Sequence, residues 1–221
     1  MEIKPIAYIK TDFCEKFGIP RQSGRVKSLV GKIEFTDEFC HLDAIKGIDE
    51  YSHLWLIFGF SKAKYKAKTM TVRPPRLGGN KRIGIFATRS PYRPNSLGLS
   101  CVKLERVENG ALIVSGVDIL NNTPIYDIKP YIPYSDCILD ASGSFAQENK
   151  DYALEVDFPQ ELLNVLPEDK RSAAVLCLRE DPRPSYHNDD RLYSMLYAGF
   201  DIHFKVSDDV LTVIGVDKKS L

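Results

Sequence analysis

No stretch of this 221-residue chain approaches the ~20 apolar residues of a membrane-spanning helix, and residues 1–5 lack the regions of a secretory leader. A cytoplasmic protein is the expectation. The five cysteines, Cys14, Cys40, Cys101, Cys137 and Cys177, are odd in number and scattered without a Cys-x-x-Cys, so neither a disulfide framework nor a zinc site is indicated. His41, His53, His187 and His203 likewise fall at no metal-ligand spacing, and no structural metal is expected. There is no Gly-x-Gly-x-x-Gly, no Gly-x-x-x-x-Gly-Lys-Ser/Thr loop and no Gly-x-Ser-x-Gly elbow. That disfavours nucleotide-fold dehydrogenases, NTPases, serine hydrolases and methyltransferases of the Rossmann kind. One absence is local. Between Ser61 and Leu104 there are eleven Lys and Arg residues and not one Asp or Glu, in a chain of 30 basic and 30 acidic side chains. A formally neutral molecule thus carries a strongly positive segment on an acidic body, the pattern of a polyanion-binding protein.

What is present reads as β structure. Residues 3–9, 30–35, 51–60, 82–88, 97–107, 111–119 and 124–129 are short runs rich in β-branched and aromatic side chains, each bounded by Gly, Pro, Asn or Asp. Asn109-Gly110 supplies the two residues tolerant of positive φ that a tight hairpin needs. Residues 37–46 read as the one helix of this half, with Phe39, Leu42 and Ile45 at helical spacing. So many strands hide their edges most simply by closing into a barrel. Composition shifts at 142–151, which places a boundary between a barrel of residues 1–145 and a smaller α+β unit of residues 150–221. In that unit, 159–166 and 168–179 read as helices, and 200–206 and 210–216 as a hairpin.

Three stretches stand out chemically. Arg89-Ser90-Pro91-Tyr92-Arg93-Pro94-Asn95 joins two strands, and its prolines stiffen a loop whose guanidinium forks suit phosphate or carboxylate. Arg73-Pro74-Pro75-Arg76 repeats the device ahead of a Gly-rich turn. Asp127-Ile128-Lys129-Pro130-Tyr131 offers a carboxylate for an ammonium, a sulfonium or a ribose hydroxyl, and a Tyr for stacking on a base. For Lys62, Lys64, Lys66 and Lys68 a solvated surface face accounts for the pattern equally well.

Together with Pro20-Arg21-Gln22, Phe86-Ala87-Thr88, Gly98-Leu99-Ser100 and Asp181-Pro182-Arg183-Pro184-Ser185-Tyr186, these motifs resemble the TrmO family, also called TsaA-like or YaeB-like. The resemblance implies a small, buckled β-barrel working as a homodimer. It also implies an S-adenosylmethionine-dependent methyltransferase acting on N6 of N6-threonylcarbamoyladenosine beside the anticodon of threonine tRNA. By the same resemblance Arg21, Gln22, Ser23, Ser61, Lys62, Arg89, Leu99, Ile125, Tyr126, Asp127 and Ile128 line the cofactor pocket. Arg73, Arg76, Arg93, Asn95, Lys129 and Tyr131 are expected on the tRNA side, and Asp181-Pro182-Arg183-Pro184 of the C-terminal unit reads as a rigid linker or a further tRNA contact. Ser96 departs from the family, which usually carries proline after the loop Asn. Asp127, Tyr126, His53 or the substrate's own carboxylate remain open as the proton acceptor. A non-catalytic RNA-binding barrel and a same-fold methyltransferase of small molecules are the competing readings.

Overall fold

Alternation builds the first half. In the strand His53–Gly59, the side chains of Leu54, Leu56 and Phe58 point inward and are at most 4% exposed, while His53, Trp55 and Ile57 stay partly open on the other face. The same period runs through Leu97–Glu108 and Thr123–Pro130, so each strand offers one apolar face that is buried by curling the sheet onto itself. The computed structural model describes residues 2–63, 70–74, 81–148, 150–183 and 191–219. Its strands are β1 (Ala7–Lys10), β2 (Val30–Phe35), β3 (His53–Gly59), β4 (Thr71–Val72), β5 (Ile83–Gly84), β6 (Leu97–Glu108), β7 (Ala111–Ser115) and β8 (Thr123–Pro130) in the first half. Six of them close a barrel in the order β1-β2-β7-β6-β3-β8, and β4 and β5 form a separate ribbon.

Asn109 and Gly110 turn β6 into β7 at φ 50° and 76°, as the hairpin reading required. Several expected elements are shorter, since the runs 3–9 and 111–119 are strands only over Ala7–Lys10 and Ala111–Ser115 and residues 159–166 are helical only over Gln160–Leu163, and two differ in kind. Residues 37–46 form turns and a 3-10 helix at Leu42–Ile45, because only Ile45 of the supposed apolar face is buried and Leu42 is 76% exposed. Without a surface to dock on, helical periodicity does not hold a helix. Residues 82–88 give the two-residue β5 followed by a 3-10 turn at Ile85–Ala87, so the Arg89 loop springs from a turn rather than a long strand.

Pro133–Asp136 (α1) and Ser144–Glu148 (α2) lead into the second unit, which contains β9 (Glu155–Asp157), α3 (Gln160–Leu163), α4 (Glu168–Arg179), β10 (Tyr193–Tyr197), β11 (Phe200–Ser207) and β12 (Val210–Lys218). Its sheet runs β10-β11-β12-β9, with β9 parallel to β12. α4 follows Pro167, carries Glu168 and Asp169 in its first turn and Arg179 in its last, and buries Ala173, Ala174, Cys177 and Leu178. Among the described residues no helix is long and apolar enough to cross a membrane.

One close approach fixes how β3 meets β6. Gly98 pairs with Phe58, and a Cβ added at Gly98 would lie 2.3 Å from Phe58 Cζ. Phe58 is 4% exposed and cannot swing away. Gly98→Ala is therefore expected to cost about 2–3 kcal/mol, the usual penalty of overpacking. An unshifted denaturant midpoint would contradict this account of how β3 and β6 pack.

Candidate active site

The end of β3, the start of β6, the loop 88–96 and the β1–β2 connection enclose a cleft of about 860 Å³. Its floor is apolar, from Ile57, Leu97, Ile119 and Leu120, and its polar groups converge from three separate segments. Arg89 Nη1 donates to Gln22 Oε1 at 2.6 Å. Asp118 faces the same space from the strand exit after β7, accepting from Ser100 Oγ at 2.6 Å. Burial pushes the Asp118 carboxyl up to about 6, against the Ser100 hydrogen bond, a backbone N–H of Ser23 and the nearby Arg89 charge, which all hold it down. Ser23 in turn accepts the Cys101 N–H at 3.2 Å, so the loop after Pro20 is stitched to β6.

The loop 88–96 is rigid by its own hydrogen bonds as well as its prolines. Thr88 Oγ1 donates to Ile85 O at 3.0 Å and accepts the Ser90 N–H at 3.3 Å, while Ser90 Oγ accepts the Tyr92 N–H at 3.2 Å. Such short side-chain turns replace the backbone ladder that the loop lacks. Arg93 Nη1 donates to Thr88 O at 3.0 Å, so this guanidinium ties the loop together from within. Ser96 sits at φ 35°, a conformation closed to the proline that the TrmO resemblance led one to expect there. Its N–H donates to Arg93 O at 3.1 Å and its carbonyl accepts the Phe60 N–H at 2.8 Å, so the departure leaves the loop anchored at both ends.

From the cleft a row of side chains crosses three strands. Leu99 of β6 is paired with Ile57 of β3, and Ile57 with Asp127 of β8, on the outer face of the barrel. Further along this face Trp55 and Tyr131 approach to 5.7 Å between ring centroids, with His53 at 6.3 Å from Tyr131. Trp55 Nε1 donates to Asp136 Oδ2 at 3.0 Å, which holds the indole in place.

A family model described as the tRNA-methyltransferase O N-terminal domain matches residues 8–137, and one described as the TrmO C-terminal domain matches residues 151–219. The chain belongs to the tRNA-methyltransferase O family. It is 36% identical to a tRNA (adenine(37)-N6)-methyltransferase of Escherichia coli, over 99% of this chain and 98% of that protein. It is 38% identical to a putative S-adenosylmethionine-dependent methyltransferase of Pseudomonas aeruginosa, over 97% and 96%. The human tRNA (adenine(37)-N6)-methyltransferase is 40% identical over 60% of this chain and 30% of its own length. A crystal structure of TrmO from Pseudomonas aeruginosa superposes with a TM-score of 0.81 at 32% identity, covering 99% of this chain and 97% of that one.

Of the residues that the TrmO resemblance singled out, Arg21, Gln22, Ser61, Lys62, Arg89 and Leu99 line the cleft, as do Arg93 and Asn95 from the set expected on the tRNA side. Ser23 and Asp127 lie next to it rather than in its lining, while Ile128 pairs with Leu56 and packs against the barrel core. Asp127 ends the Leu99–Ile57 row and pairs with Lys129 at 2.9 Å. Ile125 is fully buried in the barrel interior, and Tyr126 is the extra residue of a bulge, its ring resting against Gly59. Arg73 is exposed beside β4, Lys129 and Tyr131 stand on the outer face near Trp55, and Arg76 lies outside the described residues, as do Lys64, Lys66 and Lys68. Asp118 is the residue that sequence reasoning missed. Its signal was an Asp two residues after a buried glycine turn at Gly116, φ 73°, where a strand leaves the barrel wall toward the site.

Proposed function

We propose that the cleft binds S-adenosyl-L-methionine and that the protein methylates N6 of N6-threonylcarbamoyladenosine, next to the anticodon of threonine tRNA, as a cytoplasmic homodimer. The observation that carries this reading is the meeting of Arg89, Gln22 and Asp118 over an apolar floor, beside an acid-free basic segment. The donor set fits the cofactor. About 860 Å³ accommodates a nucleoside joined to an amino acid, and both a guanidinium for its carboxylate and a carboxylate for its positive charge are present. Bound there, S-adenosylmethionine supplies the methyl group.

The residues of the chain do the positioning. Arg89 holds an anionic end, Gln22 fixes the guanidinium's direction, and Asp118 faces the cationic end in a partly buried setting where charge is felt strongly. Leu99 and Ile57, both in the cleft lining, give an apolar surface that leads to Asp127. Among the three side chains open as proton acceptor, Asp127 alone adjoins that surface, since Tyr126 packs on Gly59 and His53 lies four residues along β3 from Ile57. That adjacency supports Asp127 as the group that accepts the proton N6 loses. Lys129 and Tyr131, on the same face, suit a phosphate and a base of the RNA.

Mass spectrometry of nucleosides from threonine tRNA incubated with the protein and S-adenosylmethionine tests the reading directly. A methyl gain on N6-threonylcarbamoyladenosine is expected; modified tRNA recovered unchanged would end it. The RNA side is tested separately by Arg73→Ala combined with Arg76→Ala. The salt dependence of tRNA binding is expected to flatten by about one to two units of slope, one for each phosphate that is no longer neutralised. An unchanged slope would remove these arginines from the interface.

A further inference from the structure

The long connection between β1 and β2, residues 11–29, contains no strand or helix, yet it forms one wall of the cleft through Ile19, Pro20, Arg21 and Gln22. The barrel holds it on one side, through Thr11, Phe13, Ser23 and Gly24, and the C-terminal unit holds it on the other. Phe13 packs on Tyr197 at 5.2 Å between ring centroids, and Phe17 stacks on Tyr193 and Phe204, each at 6.3 Å. Asp12 pairs with Lys170 of α4 at 2.8 Å, and Asp12 O accepts the Ala198 N–H at 3.0 Å. At the wall itself Arg21 Nη2 donates to Asp181 O at 3.3 Å and Arg183 O at 3.1 Å.

Those two carbonyls are locked in turn. Arg183 grips Asp181 through Nε to Oδ1 at 2.9 Å and Nη2 to Oδ2 at 3.1 Å, with the two side chains 10% and 8% exposed. Tyr152 adds a hydroxyl hydrogen bond to Asp181 Oδ2 at 2.9 Å. Just beyond, Arg25 holds Glu180 with both Nε and Nη2. A fork-to-fork pair this enclosed defines geometry sharply, and its charges are spent on each other. Arg183 thus directs its fork at Asp181, and Arg21, gripped from behind, is held at the edge of the cleft.

We infer that the C-terminal unit is the buttress of the cofactor cleft: Asp181 and Arg183 are positioning residues that fix Arg21 and Gln22 and thereby set affinity for S-adenosylmethionine, while neither lines the cleft. This rests on the reading of the cleft as the cofactor site. Calorimetry with S-adenosylmethionine and filter binding of tRNA, on the full chain, test it with Asp181→Asn. Affinity for S-adenosylmethionine is expected to fall about tenfold, within the range typical of coupled sites, with tRNA affinity unchanged within about twofold. Amide exchange over residues 19–24 is expected to quicken in the same variant. Should Asp181→Asn fail to fold, Glu180→Gln loosens the same wall at a less buried pair, with an expected weakening of about threefold.

Three results would overturn the inference: an unaltered S-adenosylmethionine constant in a folded variant, a loss confined to tRNA binding, or an equal loss of both. Wild-type protein that binds no S-adenosylmethionine at all would instead refute the reading of the cleft itself, and the buttress with it.

Discussion

Arg89→Met is expected to weaken S-adenosylmethionine binding about a hundredfold, from a loss of roughly 2–3 kcal/mol in charge-assisted hydrogen bonds. Arg89 enters the cleft from a loop that is already stiff, so little ordering entropy is spent when it engages a carboxylate. Its Nη1 bond to Gln22 leaves the remaining donors of the fork directed by a fixed neighbour. Arg89→Lys keeps the charge and loses the fork, so an intermediate loss of about tenfold is expected. Calorimetry distinguishes the three proteins, and a methionine variant binding within about threefold of the wild type would show that Arg89 is not the anchor. The fold should be indifferent, because Arg89 is no part of the buried apolar core of the barrel.

Asp118→Asn is expected to make the protein more stable and less able to bind its cofactor. The folded protein holds the Asp118 carboxyl at about 6 against an ordinary value of 3.8. Between those values the native state therefore keeps a proton that the unfolded chain has released, and wild-type stability falls as pH rises through that window. Above about pH 6 the full penalty of a charged, partly buried carboxylate is present, on the order of 3 kcal/mol for a shift of about two units. Asparagine keeps an oxygen to accept from Ser100 and carries no charge, so the variant should gain about 2–3 kcal/mol at pH 8 and nothing at pH 3. Denaturant melts at the two pH values measure the difference. Equal stability of both proteins at pH 8 would show that the carboxylate is not penalised by its site. S-adenosylmethionine binding by the same variant should weaken about tenfold, because on the proposed reading Asp118 is the charge that faces the cation.

The barrel was legible because its strands are bounded by strong punctuation and carry β-branched and aromatic side chains at the strand period. The hairpin at Asn109-Gly110 and the helix over 168–179 follow from local chemistry alone, and both stand as read. β10 escaped notice because Tyr193-Ser194-Met195-Leu196-Tyr197 has no β-branched residue, and its turn is Ala198-Gly199 in place of an Asn-Gly pair. The false helix at 37–46 had the right spacing and no partner, a failure that only tertiary packing can reveal. In the site, the loops announced themselves through arginines and prolines in close succession. Asp118 did not, since a single carboxylate among Val117, Ile119 and Leu120 gives no pattern until the fold brings Ser100, Ser23 and Arg89 around it. The Asp181-Pro182-Arg183 motif was visible from the start, but its direction, inward rather than toward solvent, depends on Tyr152 and Arg21, which lie distant in the chain.

The aromatic seam between the β1–β2 connection and the C-terminal sheet bears on how this protein can be handled. Phe13, 1% exposed, packs on Tyr197, and Phe17 stacks on Tyr193 and Phe204. Cutting the chain near residue 150 to obtain a minimal barrel would leave an oily scar beside the binding cleft, and such a fragment would clump in solution before its chemistry could be assayed. A soluble short form would need polar replacements at Phe13 and Phe17, made together with the cut.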